Sequence, residues 1–274
     1  MKIMRGIVVA ALALLGPIGP AAAQEKYPSR PIDFICTWGT GGGADAMARQ
    51  IGSLAQPVLG VALPVSNVPG ASGNTGMAQL LASKPDGPFK TIQDLFKHAQ
   101  ANPGKLRVAA TGFGTVDDVT VRFLEKKGYK MTTVPYPKPG ERYAAALGGH
   151  AEVLYEQAGD VLQYLKAGQL KPLIIFAEKR HPAFPDVPSS RELGLDLTLP
   201  QFRGIVARKG TPPERIKTMA DSFRKAMDTP QWKKFAEEWY FWPDSFMGPE
   251  QFGGWVAGEV DTLDRLVKEF GLRK

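Results

Sequence analysis

The chain has one cysteine, Cys36, and three histidines, His98, His150 and His181, in 274 residues. A lone cysteine excludes an internal disulfide framework, and histidines in three separate segments carry no zinc-ligand spacing. Beyond the N-terminus no apolar run approaches the roughly 20 residues that cross a bilayer. Lys and Arg are interspersed with acids rather than gathered into a basic tract, so nothing supports nucleic-acid binding. The G-x-S-x-G elbow and the Gly-Lys-Ser/Thr phosphate loop are both missing. A triad assembled from distant segments stays open.

What is present starts with an export signal. Lys2 and Arg5 precede an apolar run at 7–15, and Ala21-Ala22-Ala23 supplies the small residues of a cleavage site, the layout of a cleaved leader ending near Ala23. No cysteine follows to carry a lipid. Without the leader the 34 Lys and Arg fall to 32 against 27 Asp and Glu, a net charge of about +5 that mildly favours anions. Cys36, inside "IDFICTW", reads as a small core residue.

Periodicity alternates along the rest. "PIDFICTW" and "VALPVSNV" are strand-like, "ADAMARQIGSLAQPV" and "TGMAQLLASK" have helical spacing. "TIQDLFKHAQAN" is a helix opened by a capping box, Thr91 with Asp94. Strands "KLRVAAT", "KMTTVPY", "HAEVLYE" and "KPLIIFA" then alternate with helices "VDDVTVRFLEKKG", "ERYAAALGG" and "DVLQYLKAG", which predicts parallel sheets covered by helices. After "HPAFPDVPSSRELG" come a strand "FRGIVARK" and helices only, the first opened by Thr211 with Glu214 and by Pro212 at its first position. Trp239, Tyr240, Phe241 and Trp242 flank a proline between helices and read as core rather than as a stacking platform.

Three Gly/Ser/Thr-rich turns, "GTGGGAD", "PGASGN" and "TGFGT", join strands to helices. Free N–H groups of a helix's first turn and the helix dipole favour an anion there, and glycine lets a ligand reach the main chain. Thr40, Ser72 and Thr115 add hydroxyls. Each terminus gives about 0.3–1 kcal/mol, so three give about 3, whereas micromolar binding needs about 8; charge-assisted hydrogen bonds have to supply the rest. Gly39, Gly41 and Ala44 fit G-x-G-x-x-A, but the second strand ends at Asn67 where a dinucleotide site wants an acid. Asp45, Asp117 and Asp118 read as favourable charges in the first turns of their helices.

The strings "YPSRPIDFICTWGTGGGADAMAR", "NVPGASGNTGMAQLLASKPDG", "ANPGKLRVAATGFGTVDDV", "PYPKPGERYAAALGGHAEVLYE", "LKAGQLKPL", "EKRHPAFPDVPSSRELG" and "GTPPERI" together resemble the tripartite tricarboxylate transporter substrate-binding family, the Bug-type, TctC-like periplasmic receptors. The resemblance implies an α/β fold of two lobes, the type II periplasmic-binding-protein clamshell. It implies a non-enzymatic, cofactor-free, monomeric protein that holds a small carboxylate between its lobes and delivers it to the membrane permease subunits of the transporter. Lobe 1 would comprise 24–88 and 199–274, and lobe 2 89–198.

Carried over by position, the ligand contacts are Thr40, Gly41, Gly42 and Gly43, then Gly70, Ala71, Ser72, Gly73 and Asn74, and in the second lobe Thr111, Gly112, Gly114 and Thr115. Glu156 matches an acid that meets a ligand amino or hydroxyl group, and Gln157 stands where many members have Asn. The chain also lacks the strand-loop-strand segment that follows "SKPDG" in the family, so a piece of the first lobe and hinge is expected to be absent after Gly87. An exported α/β enzyme or phosphate binder using the same turns, and a shortened remnant that no longer binds, remain as alternatives.

Overall fold

The computed structural model describes residues 26–37, 40–68, 79–198, 202–242 and 245–272. The residues read as a leader, those at 70–74 read as a turn, and Gly39 lie outside them. Among the described residues two sheets organise the fold. A small parallel pair joins β1 (Phe34–Cys36) to β2 (Val65–Asn67), with α1 (Gly43–Leu59) crossing between them. A five-stranded sheet has the order β5-β4-β6-β3-β7, from β3 (Gln79–Ser83), β4 (Arg107–Ala110), β5 (Thr132–Pro135), β6 (Val153–Gln157) and β7 (Lys171–Ile175).

In the larger sheet β5, β4 and β6 run parallel, while β3 is antiparallel to both of its neighbours. The segment expected as a helix, "TGMAQLLASK", is thus a strand over Gln79–Ser83, and the all-parallel expectation is corrected with it. Met77, Leu80 and Leu81 sit at helical spacing, but all five residues of β3 are buried, and a strand covered on both faces is apolar throughout, which periodicity cannot tell from a buried helix. Leu81 packs with α2 (Ile92–Ala101) and α3 (Val116–Lys126) on one face; Leu80 and Ala82 pack on the other, near α4 (Pro139–Leu147) and α5 (Leu162–Lys166). Side chains that alternate across a strand divide the core in this way.

Local signals place most of the helices. Thr91 and Asp94 exchange backbone hydrogen bonds at 3.2 and 2.8 Å, the expected capping box. Gly128, at φ 91°, ends α3 in the left-handed conformation that glycine tolerates. At α6 (Pro213–Met227) the expectation is off by one residue: Pro212 is the cap and Pro213 opens the helix, while the Thr211 hydroxyl donates to the Arg208 carbonyl instead of capping. α6 and α7 (Pro230–Glu238) pack on α1 through Ile51, Ala55, Leu59, Phe223 and Trp232. α8 (Pro249–Glu269) then reaches back to the larger sheet's helices, where Leu266 and Val267 meet Val119 and Leu197, and Lys126 pairs with Glu269 at 2.6 Å.

Residues 202–208 form no strand, contrary to the reading of "FRGIVARK"; Val206 is 86% exposed. Strand propensity is expressed only where a neighbouring strand accepts the ladder, and among the described residues the small sheet has two strands. The link from Ser83 through Gly87 to α2 is a tight turn closed by Gly87 N–H on the Lys84 carbonyl at 3.0 Å. The chain passes directly from this turn into α2.

Candidate functional site

The turn before α1 is held by a carboxylate at the third helical position. Gly41 takes φ 86° and Gly42 caps the helix at φ −82°, ψ 170°. Asp45 accepts from the Gly41 N–H at 3.0 Å, from the Asn67 amide at 2.9 Å and from Arg49 at 2.9 Å. Burial pulls the Asp45 carboxyl up, but these hydrogen bonds outweigh it and hold it below the ordinary carboxylate range. Asn67, where a nucleotide site wants an acid, is thereby committed to the turn itself: its carbonyl also accepts from Arg49 at 2.8 Å. The N–H groups of Gly43, Ala44 and Asp45 are the first-turn donors that an α-helix leaves without an internal partner.

The turn before α3 repeats the design. Gly114 has φ 70° and Thr115 caps at φ −83°, ψ 170°. Asp118, again at the third position, accepts from the Gly114 N–H at 3.0 Å and from the Thr133 hydroxyl at 2.7 Å. Asp117 adds a second acid, accepting from the Thr111 N–H at 2.6 Å. Burial pushes the Asp117 carboxyl up, with that N–H and Arg142 working against it. The Thr115 hydroxyl donates to the Gly112 carbonyl at 2.7 Å. Of the expected contacts here, Thr111 and Gly114 have given their N–H groups to these acids and Thr115 has spent its hydroxyl proton; Gly112 makes a close turn whose added Cβ would meet only Thr115, at 3.9 Å.

The two sheets meet at Gly43. A Cβ placed there would come closer than 3.0 Å to Asp160 Oδ1 and to the Arg203 guanidinium. Asp160 follows β6 in the larger unit, and Arg203 lies on the return segment to the smaller one. Their ion pair measures 3.1 Å, with Arg203 5% and Asp160 19% exposed, and Arg203 also reaches Gln157 at 3.4 Å and stacks over Phe241 at 5.8 Å. Burial lowers the Arg203 guanidinium against the pull of Asp160, and it stays cationic. Sequence reading missed both residues: they are 43 positions apart, one in an expected strand and one at an expected helix start. Only the packing of the Gly43 turn joins them.

Glu156, the expected acidic ligand contact, is paired with Arg142. Its carboxylate accepts from Arg142 Nε at 2.9 Å and Nη2 at 2.5 Å, and from the Gln157 N–H at 3.0 Å. Both partners are 6% exposed. Burial pushes the Glu156 carboxyl up, to about 7, Arg142 opposing and Asp160 adding to the rise. Thr40 and Gly42 are exposed at the mouth of the turn; residues 70–74 are outside the described set. A cavity of about 520 Å³ between α3 and α8, lined by Lys126, Arg265, Glu259 and Glu269 among others, lies away from Gly43. Among the described residues no group of three His, Cys, Asp or Glu could hold a metal ion, and no helix is long and apolar enough to cross a membrane.

A sequence profile described as the tripartite tricarboxylate transporter family receptor, TctC, matches residues 65–272. The chain belongs to that family. Among its TctC relatives, a UPF0065 protein of Cupriavidus necator, named for the gbd 5' region, is 29% identical over 321 residues, covering 99% of this chain and 98% of its own. The adipate-bound Rpa4515 of R. palustris superposes with a TM-score of 0.76 at 17% identity, over 89% of this chain and 98% of that one. MatC from Rhodopseudomonas palustris, with bound malate, gives 0.73 at 21%, over 88% and 100%. These likenesses establish the two-lobed clamshell. An alignment of 321 positions on a chain of 274 residues leaves at least 47 positions, the difference of the two, opposite gaps in this chain. The chain is therefore shorter than that relative over the matched length, and among the described residues its smaller sheet has two strands.

Proposed function

We propose that the protein is a periplasmic receptor that closes two lobes over a small organic carboxylate and hands it to the permease of a tripartite tricarboxylate transporter. One observation carries the reading: a buried arginine, Arg203, is brought to the glycine-opened N-terminus of α1, where the lobes touch. A guanidinium gives a carboxylate charge-assisted hydrogen bonds of about 1.5–3 kcal/mol each, and the helix terminus adds about 0.3–1 kcal/mol. Two such bonds with the terminus approach what micromolar binding requires. Membership of the TctC family and the malate and adipate bound to two structural neighbours support the ligand class. The leader supports export, and delivery to the permease rests on the family. We place the lobe boundary before β3, so that 79–198 form the second lobe and the remainder of the mature chain the first.

The contacts we assign are Thr40, Gly41, Gly42 and Gly43 in the first lobe, with Gly70, Ala71, Ser72, Gly73 and Asn74 as the family carry-over beside them. The family carry-over also names Thr111, Gly112, Gly114 and Thr115; with their donors turned onto Asp117, Asp118 and Gly112 we assign them to shaping the second-lobe turn rather than to holding the carboxylate, and Glu156 acts through its neighbours. The test is a thermal-shift screen of the purified mature chain with malate, adipate and other one- to three-carboxylate acids. Ligand at a hundred times its dissociation constant stabilises by about 2.7 kcal/mol, a shift of several degrees; no shift with any acid at millimolar concentration contradicts the proposal.

A further inference from the structure

Arg203 already has a carboxylate beside it, that of Asp160, and both groups press on Gly43 at the start of α1. A ligand carboxylate that reaches the same guanidinium and helix terminus must separate or share the pair. Asp160 then faces a new negative charge in a partly buried place, where like charges repel more than in water. Neither neighbouring cation is spare: Arg142 is held by Glu156 through two hydrogen bonds, and Arg203 is the group the ligand takes. Glu156 itself adds negative potential close by, as does the mutual influence of Asp160 and Glu156.

The second-lobe turn offers no compensation. Its Thr111 and Gly114 N–H groups are occupied by Asp117 and Asp118, so a second ligand carboxylate meets two buried acids there and no further cation like Arg203. The crevice therefore presents one cationic position and one acidic position side by side. A ligand carrying an ammonium beside its carboxylate exchanges one ion pair for two and leaves the local charge unchanged. An acid without the amine breaks the pair and leaves Asp160 uncompensated.

We propose that Arg203 and Asp160 select an amino-carboxylate: Arg203 and the α1 N-terminus take the carboxylate, and Asp160 takes the ammonium. This rests on the receptor reading above and narrows its ligand class. The experiment is calorimetric titration of the mature chain with matched acids that differ only in an amino group: lactate and alanine, malate and aspartate, adipate and 2-aminoadipate. At least one amino member binds tenfold or more tightly than its partner. Asp160→Asn, which keeps the side-chain size at a 19%-exposed position, weakens that member at least tenfold and reverses the preference within the pair. Asp160→Ser does the same, and cooperative unfolding of both variants certifies their fold. Preference for amine-free acids, or an amine preference unchanged in both variants, overturns the selection while leaving the receptor reading intact. No binding by any of the six overturns the selection, and the wider thermal-shift panel decides the receptor reading separately.

Discussion

The turns that open α1 and α3 share a skeleton and differ in charge. Each has a glycine at positive φ, a cap with nearly the same dihedral angles and an aspartate at the third helical position that accepts the glycine's N–H. Each aspartate also has an arginine one turn on, Arg49 at 2.9 Å and Arg122 at 3.6 Å, and only the first turn meets a further cation, Arg203, over Gly43. The second adds another acid, Asp117, buried and anchored on the turn. The same backbone device thus has two uses. Where a further buried cation reaches it, the helix end remains a place for a ligand anion; where a second buried acid fills it, the turn is a structural clamp. A glycine-rich helix start is therefore not itself a site, and the groups beyond it decide.

The comparison breaks most visibly at the two glycines nearest the crevice. Gly43→Val forces a side chain into Asp160 and Arg203, and we expect carboxylate affinity to fall at least a hundredfold. Gly112→Ala adds only a 3.9 Å contact with Thr115, and its affinity should stay within a fewfold of wild type. Calorimetry on both variants reads the contrast, and equal losses would erase the distinction between the turns.

Next in size is the cost of removing each clamp. Asp118→Ala strands the buried Thr133 hydroxyl and the Gly114 N–H, at a cost of about 3 kcal/mol. Asp45→Ala removes the acceptor of the Gly41 N–H and of the Asn67 amide and releases the half-exposed Arg49 to water, so about 1–2 kcal/mol is expected. Urea unfolding measures both, and the reverse order would contradict the account.

The pH dependences of the two turns have opposite signs. Asp45 is held below its unfolded value, so its contribution is complete above the ordinary carboxylate range and is lost as pH falls through the lowered value; Asp45→Asn flattens the acid limb of stability. Asp117 is raised by burial, so its contribution is complete below the ordinary range and is lost as pH rises through the raised value. Asp117→Asn, which still accepts from Thr111, therefore gains on wild type as pH rises towards 7. Unfolding midpoints across pH 3 to 8 decide, and parallel curves for the two variants would contradict the assignment.

The smallest pair is Gly41→Ala and Gly114→Ala. Neither added methyl touches anything within 4 Å, but both glycines sit at positive φ. A cost of about 1 kcal/mol each is expected from the backbone alone, measurable by thermal unfolding; a loss of ligand affinity in the second but not the first would reverse their roles.

Much of this was legible in the residues. The alternation of β and α, the capping box at Thr91, the stop at Gly128 and the glycine turns at α1 and α3 are local chemistry, set by neighbours within a few positions. β3 was not, because "QLLAS" satisfies a helical count and a doubly buried strand equally well. Residues 202–208 were misread for the opposite reason: their β-branched residues favour a strand that finds no partner among the described residues. Arg203 and Asp160 left no signal at all, since an ion pair between an extended return segment and a loop is made by tertiary packing. Glu156 was found by position, yet what it does depends on Arg142, one helix away.

The central claim, that the ligand carboxylate sits on the α1 turn and Arg203 rather than on the α3 turn, is tested most directly by a crystal structure with the tightest-binding acid from the thermal-shift screen. The account predicts a carboxylate oxygen within hydrogen-bonding distance of the Arg203 guanidinium and of a main-chain N–H at residues 43–45. A carboxylate bound instead to the N–H groups of residues 111–118, with the Arg203–Asp160 pair unchanged, would contradict it.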